Sequence, residues 1–95
     1  SKEANMKQIT KSFYTVETAH GWTIYGVTRA GYPFTIAGAC DGFLTSRDAR
    51  LFVVRWLRDC EKADVCPSSV LGRGIARYYR HTYQLWLDSR KAKAA

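Results

Sequence analysis

The chain has 95 residues and a mass of 10.8 kDa, which allows one domain built on one core. At 46% hydrophobic and 14% aromatic it is a globular sequence, and a disordered one is excluded. No run of even about 12 uninterrupted apolar residues occurs, so a spanning helix is excluded and no membrane partner is expected.

Fifteen Lys and Arg against eight Asp and Glu give a net charge of +7 and a pI near 9.6. In that range nucleic acid is the first partner to consider, DNA ahead of RNA, with an acidic protein surface as the other candidate. The charge is unevenly spread. Residues 12–46 hold Arg29 alone against Glu17 and Asp41, whereas residues 63–95 hold Arg73, Arg77, Arg80, Arg90, Lys91 and Lys93 against Asp64 and Asp88. Lys2, Lys7 and Lys11 make residues 1–11 a basic N-terminal arm. Ser1-Lys2-Glu3-Ala4-Asn5-Met6 has no apolar stretch of the kind a secretory leader carries. Three cysteines are an odd count, too few for a disulfide-built miniprotein, and favour a reducing, cytoplasmic setting.

Taken in chain order, Phe13-Tyr14-Thr15-Val16-Glu17-Thr18 is a β-branched and aromatic run closed by the turn signal His20-Gly21. Trp22-Thr23-Ile24-Tyr25-Gly26-Val27-Thr28 is a second run, and Phe34-Thr35-Ile36-Ala37-Gly38-Ala39 a third. Short connections make these an antiparallel meander over residues 13–39. Alternation places Tyr14/Val16, Trp22/Ile24 and Phe34/Ile36 on the buried face. Gly26 and Gly38 inside strands mark a bulge or a close approach of another element.

A first helix is expected over residues 46–63. Thr45 is its N-cap, Asp48 completes a capping box, and Leu44 is placed to staple onto Ala49. Ala49, Phe52, Val53, Trp56, Leu57 and Cys60 follow helical spacing, with Arg47, Arg50, Arg55, Arg58 and Lys62 outside. Burying Phe52, Val53, Trp56 and Leu57 stabilises by roughly 6–12 kcal/mol before entropy. A second helix is expected over residues 68–90, starting at Pro67-Ser68-Ser69 or, because Gly72 and Gly74 are poor helix formers, as late as Ile75. Ile75, Tyr78, Tyr79, Thr82, Leu85 and Trp86 form its inward face; Arg73, Arg77, Arg80, Gln84 and Lys91 form the outward one. The whole is a single β-β-β-α-α domain of the α+β class over residues 12–90, with a frayed tail at 91–95.

Three short strands followed by a helix opening Phe43-Leu44-Thr45-Ser46-Arg47-Asp48-Ala49 resemble two groups of DNA-binding domains. These are the arm-binding domains of phage-type integrases and the plant ethylene-response-factor type, and the resemblance covers about residues 13–62. It implies a sheet entering the major groove with a helix bracing its back. Those sheets carry several cations where this one has Arg29, so the resemblance bears on fold more than on binding mode. Thr23-Ile24-Tyr25 followed by Thr35-Ile36-Ala37-Gly38 is faintly similar to the paired strands of GIY-YIG nucleases. Arg47 or Arg50 and Glu61 would then serve as the helix arginine and metal ligand, but Thr35 stands in place of the second tyrosine.

Other chemistry finds little support. Cys40, Cys60, Cys66, His20 and His81 are the only soft metal ligands, and Cys60 and Cys66 lie further apart than the roughly two to four residues of a zinc knuckle. No metal and no cofactor are expected, and Cys60–Cys66 is left open as a disulfide. Gly72-Arg73-Gly74 lacks the lysine and spacing of a P-loop. A helix-turn-helix using Ser68, Ser69 and Arg73 is a further option, although residues 62–67 make a long turn for it. The expectation is a non-enzymatic nucleic-acid-binding domain. Arg73, Arg77, Arg80, Arg90 and Lys91 contact phosphates beside Tyr83, and Lys7 and Lys11 assist. The alternative is a small phage or mobile-element protein that inhibits a host complex by occupying a partner's surface.

Overall fold

The computed structural model describes residues 6–10, 12–35 and 41–94. Four antiparallel strands, β1 (Met6–Thr10), β2 (Phe13–Thr18), β3 (Gly21–Val27) and β4 (Pro33–Thr35), stand in the order β1-β2-β3-β4. Two helices follow, α1 (Ser46–Ala63) and α2 (Val70–Ala94). This is the expected α+β fold with one more strand than expected. The addition is β1, which lies within the stretch read as a basic arm. Its only aliphatic residue on the core side is Ile9, so no alternation announces it. The expected third strand is seen as Pro33–Thr35, and its continuation through Ile36 to Ala39 lies outside the described residues.

β2 presents the opposite face from the one expected. Phe13 and Thr15 are buried, not Tyr14 and Val16. The run is apolar on both alternations, so register decides. Thr18 pairs with Gly21 across the turn, which sets Thr15 opposite Ile24 and Phe13 opposite Gly26. Those pairs face α1, and Thr15 keeps its buried hydroxyl bonded to the Lys7 carbonyl at 3.4 Å. Phe34 is paired with Gly26, and a methyl there would run into its ring, so the glycine is what lets the ring lie across the strand. On the other face Tyr14 stacks on Tyr25, with centroids 5.5 Å apart and planes 18° from parallel. Val16, Thr23 and Val27 surround that pair, and no charged side chain stands on this face among the described residues.

α1 closes the core as its spacing predicts. Ala49, Phe52, Val53, Trp56 and Cys60 are buried with Phe13, Ile24 and Phe43, and Leu57 packs at the edge. Thr45 caps it, accepting from the Asp48 amide at 3.0 Å. The expected staple is absent, since Leu44 is 55% exposed and Phe43 is the residue that turns inward. At the far end Asp64 adopts a left-handed conformation (φ 56°), its N–H bonded to the Glu61 carbonyl and that of Val65 to Cys60.

α2 begins at Val70 and runs to Ala94, past the Arg90 boundary expected from the sequence. Ser69 holds its start by accepting from the Gly72 amide at 3.0 Å. Gly72 does not delay the helix, because a methyl there would sit 2.6 Å from the Pro67 carbonyl and closer still to that of Cys66. Its own carbonyl accepts the indole N–H of Trp56 at 2.8 Å. Close approach, not helix propensity, selects glycine here. The helix is also turned from the expected orientation. Gly72 and Ala76 are buried and Ile75, Tyr79 and Tyr83 pack on the core, whereas Tyr78, Leu85 and Trp86 are exposed.

Candidate functional site

That rotation decides what each cation of α2 can do. Arg73, Arg77, Arg80, Gln84 and Lys91 do share one flank, as spacings of four, three, four and seven residues require. They differ in freedom. Arg77 and Lys91 are exposed, and the Arg77 Nε donates to the Arg73 carbonyl at 3.5 Å. Arg80 is half-buried against the loop before α1. Its Nε donates to the Asp41 carbonyl at 3.0 Å and its Nη1 to Gln84 at 3.2 Å. Its guanidinium also lies 5.4 Å from the Phe43 ring centre and 5.5 Å from that of Tyr83.

Tyr83, expected beside a ligand, braces α2 against the start of α1. Its hydroxyl donates to the Asp48 carboxylate at 2.8 Å and accepts from the Leu44 amide at 2.9 Å. Burial foremost, with the Asp48 bond adding to it, pushes its pKa above the ordinary 10.0. Tyr79 donates in the same manner to Asp59, and that hydrogen bond is the main reason its own pKa is raised. Lys7 stands apart on β1, its ammonium 5.5 Å from the Trp22 ring centre, and Lys11 lies outside the described residues. Arg90 is drawn to the other side of α2, 4.9 Å from the Trp86 ring centre. The structure thus groups Arg73, Arg77, Arg80 and Lys91, and leaves Lys7 and Arg90 elsewhere.

Two concave surfaces flank α2. On the Arg73 side a cleft of about 320 Å³ is walled by Phe13, Phe34, Trp56, Cys66 and Pro67. Arg73 is half-buried there, and its Nε has no hydrogen-bond partner among the described residues. Cys66 is exposed, and hydrogen bonds from Ser68, its hydroxyl first at 3.1 Å, hold the thiol below its ordinary pKa of 9.0. Cys60 is a free thiol as well, inside the core, where burial raises its pKa. On the opposite side a groove of about 340 Å³ opens between the helices, with Leu51 and Arg55 of α1 facing Tyr79, Thr82 and Trp86 of α2.

The residues of the nuclease-like pattern are not assembled. Tyr25 is on the sheet face turned away from α1, while Arg47 and Arg50 are exposed on α1 and Glu61 lies in its last turn. Among the described residues no group of three His, Cys, Asp or Glu could hold a metal ion, and no helix is long and apolar enough to cross a membrane. No protein-family model matches the chain, and neither a curated protein nor a solved structure is found similar to it. Sequence reasoning missed the interhelical groove altogether. The signal for it was available, since Leu51, which lines it, is an apolar residue outside the buried stripe of α1.

Proposed function

We propose that this domain binds nucleic acid by neutralising phosphates along the basic flank of α2. The observation that carries the reading is the alignment of Arg73, Arg77 and Lys91 on one side of a single helix whose only carboxylate is Asp88. Such a row can track a phosphate backbone without reading bases. Arg80 and Tyr83 enter this reading as the residues that fix the helix against Phe43, Leu44 and Asp48, not as primary contacts. The uncharged outer face of the sheet is unsuited to phosphate, so the helix, and not the strands, is the element proposed to lie on DNA. Inhibition of a host complex is the second reading, and it would use either that uncharged face or the same basic flank set against an acidic protein surface.

With about three to four phosphate contacts, log K should fall against log[salt] with a slope of roughly −3 on duplex DNA. Arg77→Glu with Lys91→Glu should weaken binding ten-fold or more while leaving the melting temperature unchanged, as both side chains are exposed. No retardation of DNA at low salt, or a slope near zero, overturns the reading.

A further inference from the structure

Arg77 and Lys91 give their charge to solvent; Arg73 does not. Its Nε is shielded from water, no group among the described residues accepts from it, and no ion pair engages its guanidinium. A half-buried guanidinium without a partner is unfavourable, and native structures hold few such donors without a water, an ion or a ligand to accept from them. The cleft that Arg73 lines is the place for one. Phe13 and Trp56, both buried, meet edge to face with ring centres 5.4 Å apart and offer only a floor. Phe34, set edge-on to Phe13 at 6.3 Å, and Pro67 are half-buried and form the sides. No carboxylate stands among the described residues that line this cleft, so the Arg73 charge is not answered from within. The groove between the helices differs on that point, because Asp48 shares it with Arg55.

A ligand for the cleft must therefore bring an acceptor, a negative charge and an apolar body, and it must be small. At about 320 Å³ the cleft lies at the lower end of the range of ligand pockets, with room for about ten water-sized groups. A nucleoside monophosphate is about twice that size, and an inorganic anion leaves the aromatic sides uncovered. A carboxylate matches the planar donor edge of a guanidinium, and a single flat ring packs edge to face or offset against other rings. We infer that the cleft between β4 and the start of α2 binds a small aryl carboxylate, its carboxylate on Arg73 and its ring against Phe34 and Pro67. The site goes beyond the nucleic-acid reading and shares only Arg73 with the basic flank. Cys66 is the one lining group among the described residues that opposes an anion when ionised. Ser68 holds its thiol below the ordinary 9.0, so binding is measured near pH 6.

The probe is cinnamate, with cinnamamide as its uncharged isostere and acetate as the anion without a ring, each titrated into the whole chain. Cinnamate should saturate one site and bind at least ten-fold tighter than either control. The Nε proton resonance of Arg73 should move, amide shifts should gather at Phe34, Ser68 and Arg73, and alkylation of Cys66 by iodoacetamide should slow five-fold or more. Arg73→Gln should weaken cinnamate ten-fold and leave cinnamamide unchanged; should that variant unfold, the comparison of cinnamate with cinnamamide on the parent chain decides. Equal affinity for those two overturns the inference, as does a footprint spread over Arg77 and Lys91, where any anion would gather. Tighter binding of thymidine monophosphate than of cinnamate overturns it too, by assigning the cleft to nucleic acid. Arg77→Glu with Lys91→Glu should spare cinnamate binding, so loss of DNA binding alone sinks the nucleic-acid reading and leaves the cleft standing.

Discussion

α1 turns Phe52, Val53 and Trp56 into the core, whereas α2 meets the same core with Gly72, Ala76 and the rings of Tyr79 and Tyr83. The first helix is held by the size of what it buries. The second is held by how near its backbone can come, and by hydroxyl and guanidinium groups that reach back to the loop before α1. A helix of the first kind spends its large apolar residues inside. One of the second kind has them left over, which is why Leu71, Tyr78 and Leu85 stand in solvent.

The largest expected effect tests the first half of that contrast. Trp56 is fully buried, contacts Phe13 and Phe52, and donates its indole N–H to Gly72, so Trp56→Ala should cost about 3–5 kcal/mol by chemical denaturation. Gly72→Ala tests the second half. A single added methyl meets two carbonyls and should cost about 1–3 kcal/mol, although alanine is the better helix former. An increase in stability would mean that α2 does not approach as closely as described.

These two substitutions mark what was legible in the chain. α1 could be read almost residue by residue, because hydrophobic periodicity reports a face that buries large side chains. The face of α2 could not, because Gly72 and Ala76 carry almost no hydrophobic signal while Tyr78 and Leu85 carry a strong and misleading one. β2 failed for a related reason, being apolar on both alternations until the register with β3 chose between them. The cations of the α2 flank were found by counting charge. That Arg80 and Tyr83 also hold α2 against the start of α1 was not legible, since their partners Asp41, Leu44 and Asp48 come some 35 or more residues earlier.

A smaller effect is expected at the tyrosine. Tyr83→Phe should cost about 0.5–1.5 kcal/mol, because it removes the hydroxyl that the Leu44 amide and the Asp48 carboxylate share. It should also change the alkaline limb of stability. The folded pKa of Tyr83 lies above its ordinary 10.0, so the neutral form is favoured in the fold. The associated stability is complete below pH 10 and is lost as pH rises through the raised value. Tyr79 behaves alike through Asp59. Urea midpoints recorded upward from pH 9 should therefore fall less steeply in Tyr83→Phe than in the parent. The smallest effect is predicted for Tyr78→Ala, within about 0.5 kcal/mol, since so exposed a ring adds little to the fold. A loss beyond 2 kcal/mol would place Tyr78 in the core and dissolve the contrast between the helices.

The bonds that Tyr83 and Arg80 make to residues 41–48 also set a timescale. Each closes a loop of 35 or more residues, so its entropy must be met before the contact returns anything. The β2–β3 hairpin and the turns of α1 join near neighbours and can form first. Latches that engage after the folding barrier has been crossed leave the forward rate almost untouched and govern the reverse one. In this small domain the hydroxyl of one tyrosine thus acts less on how quickly the chain folds than on how long it stays folded.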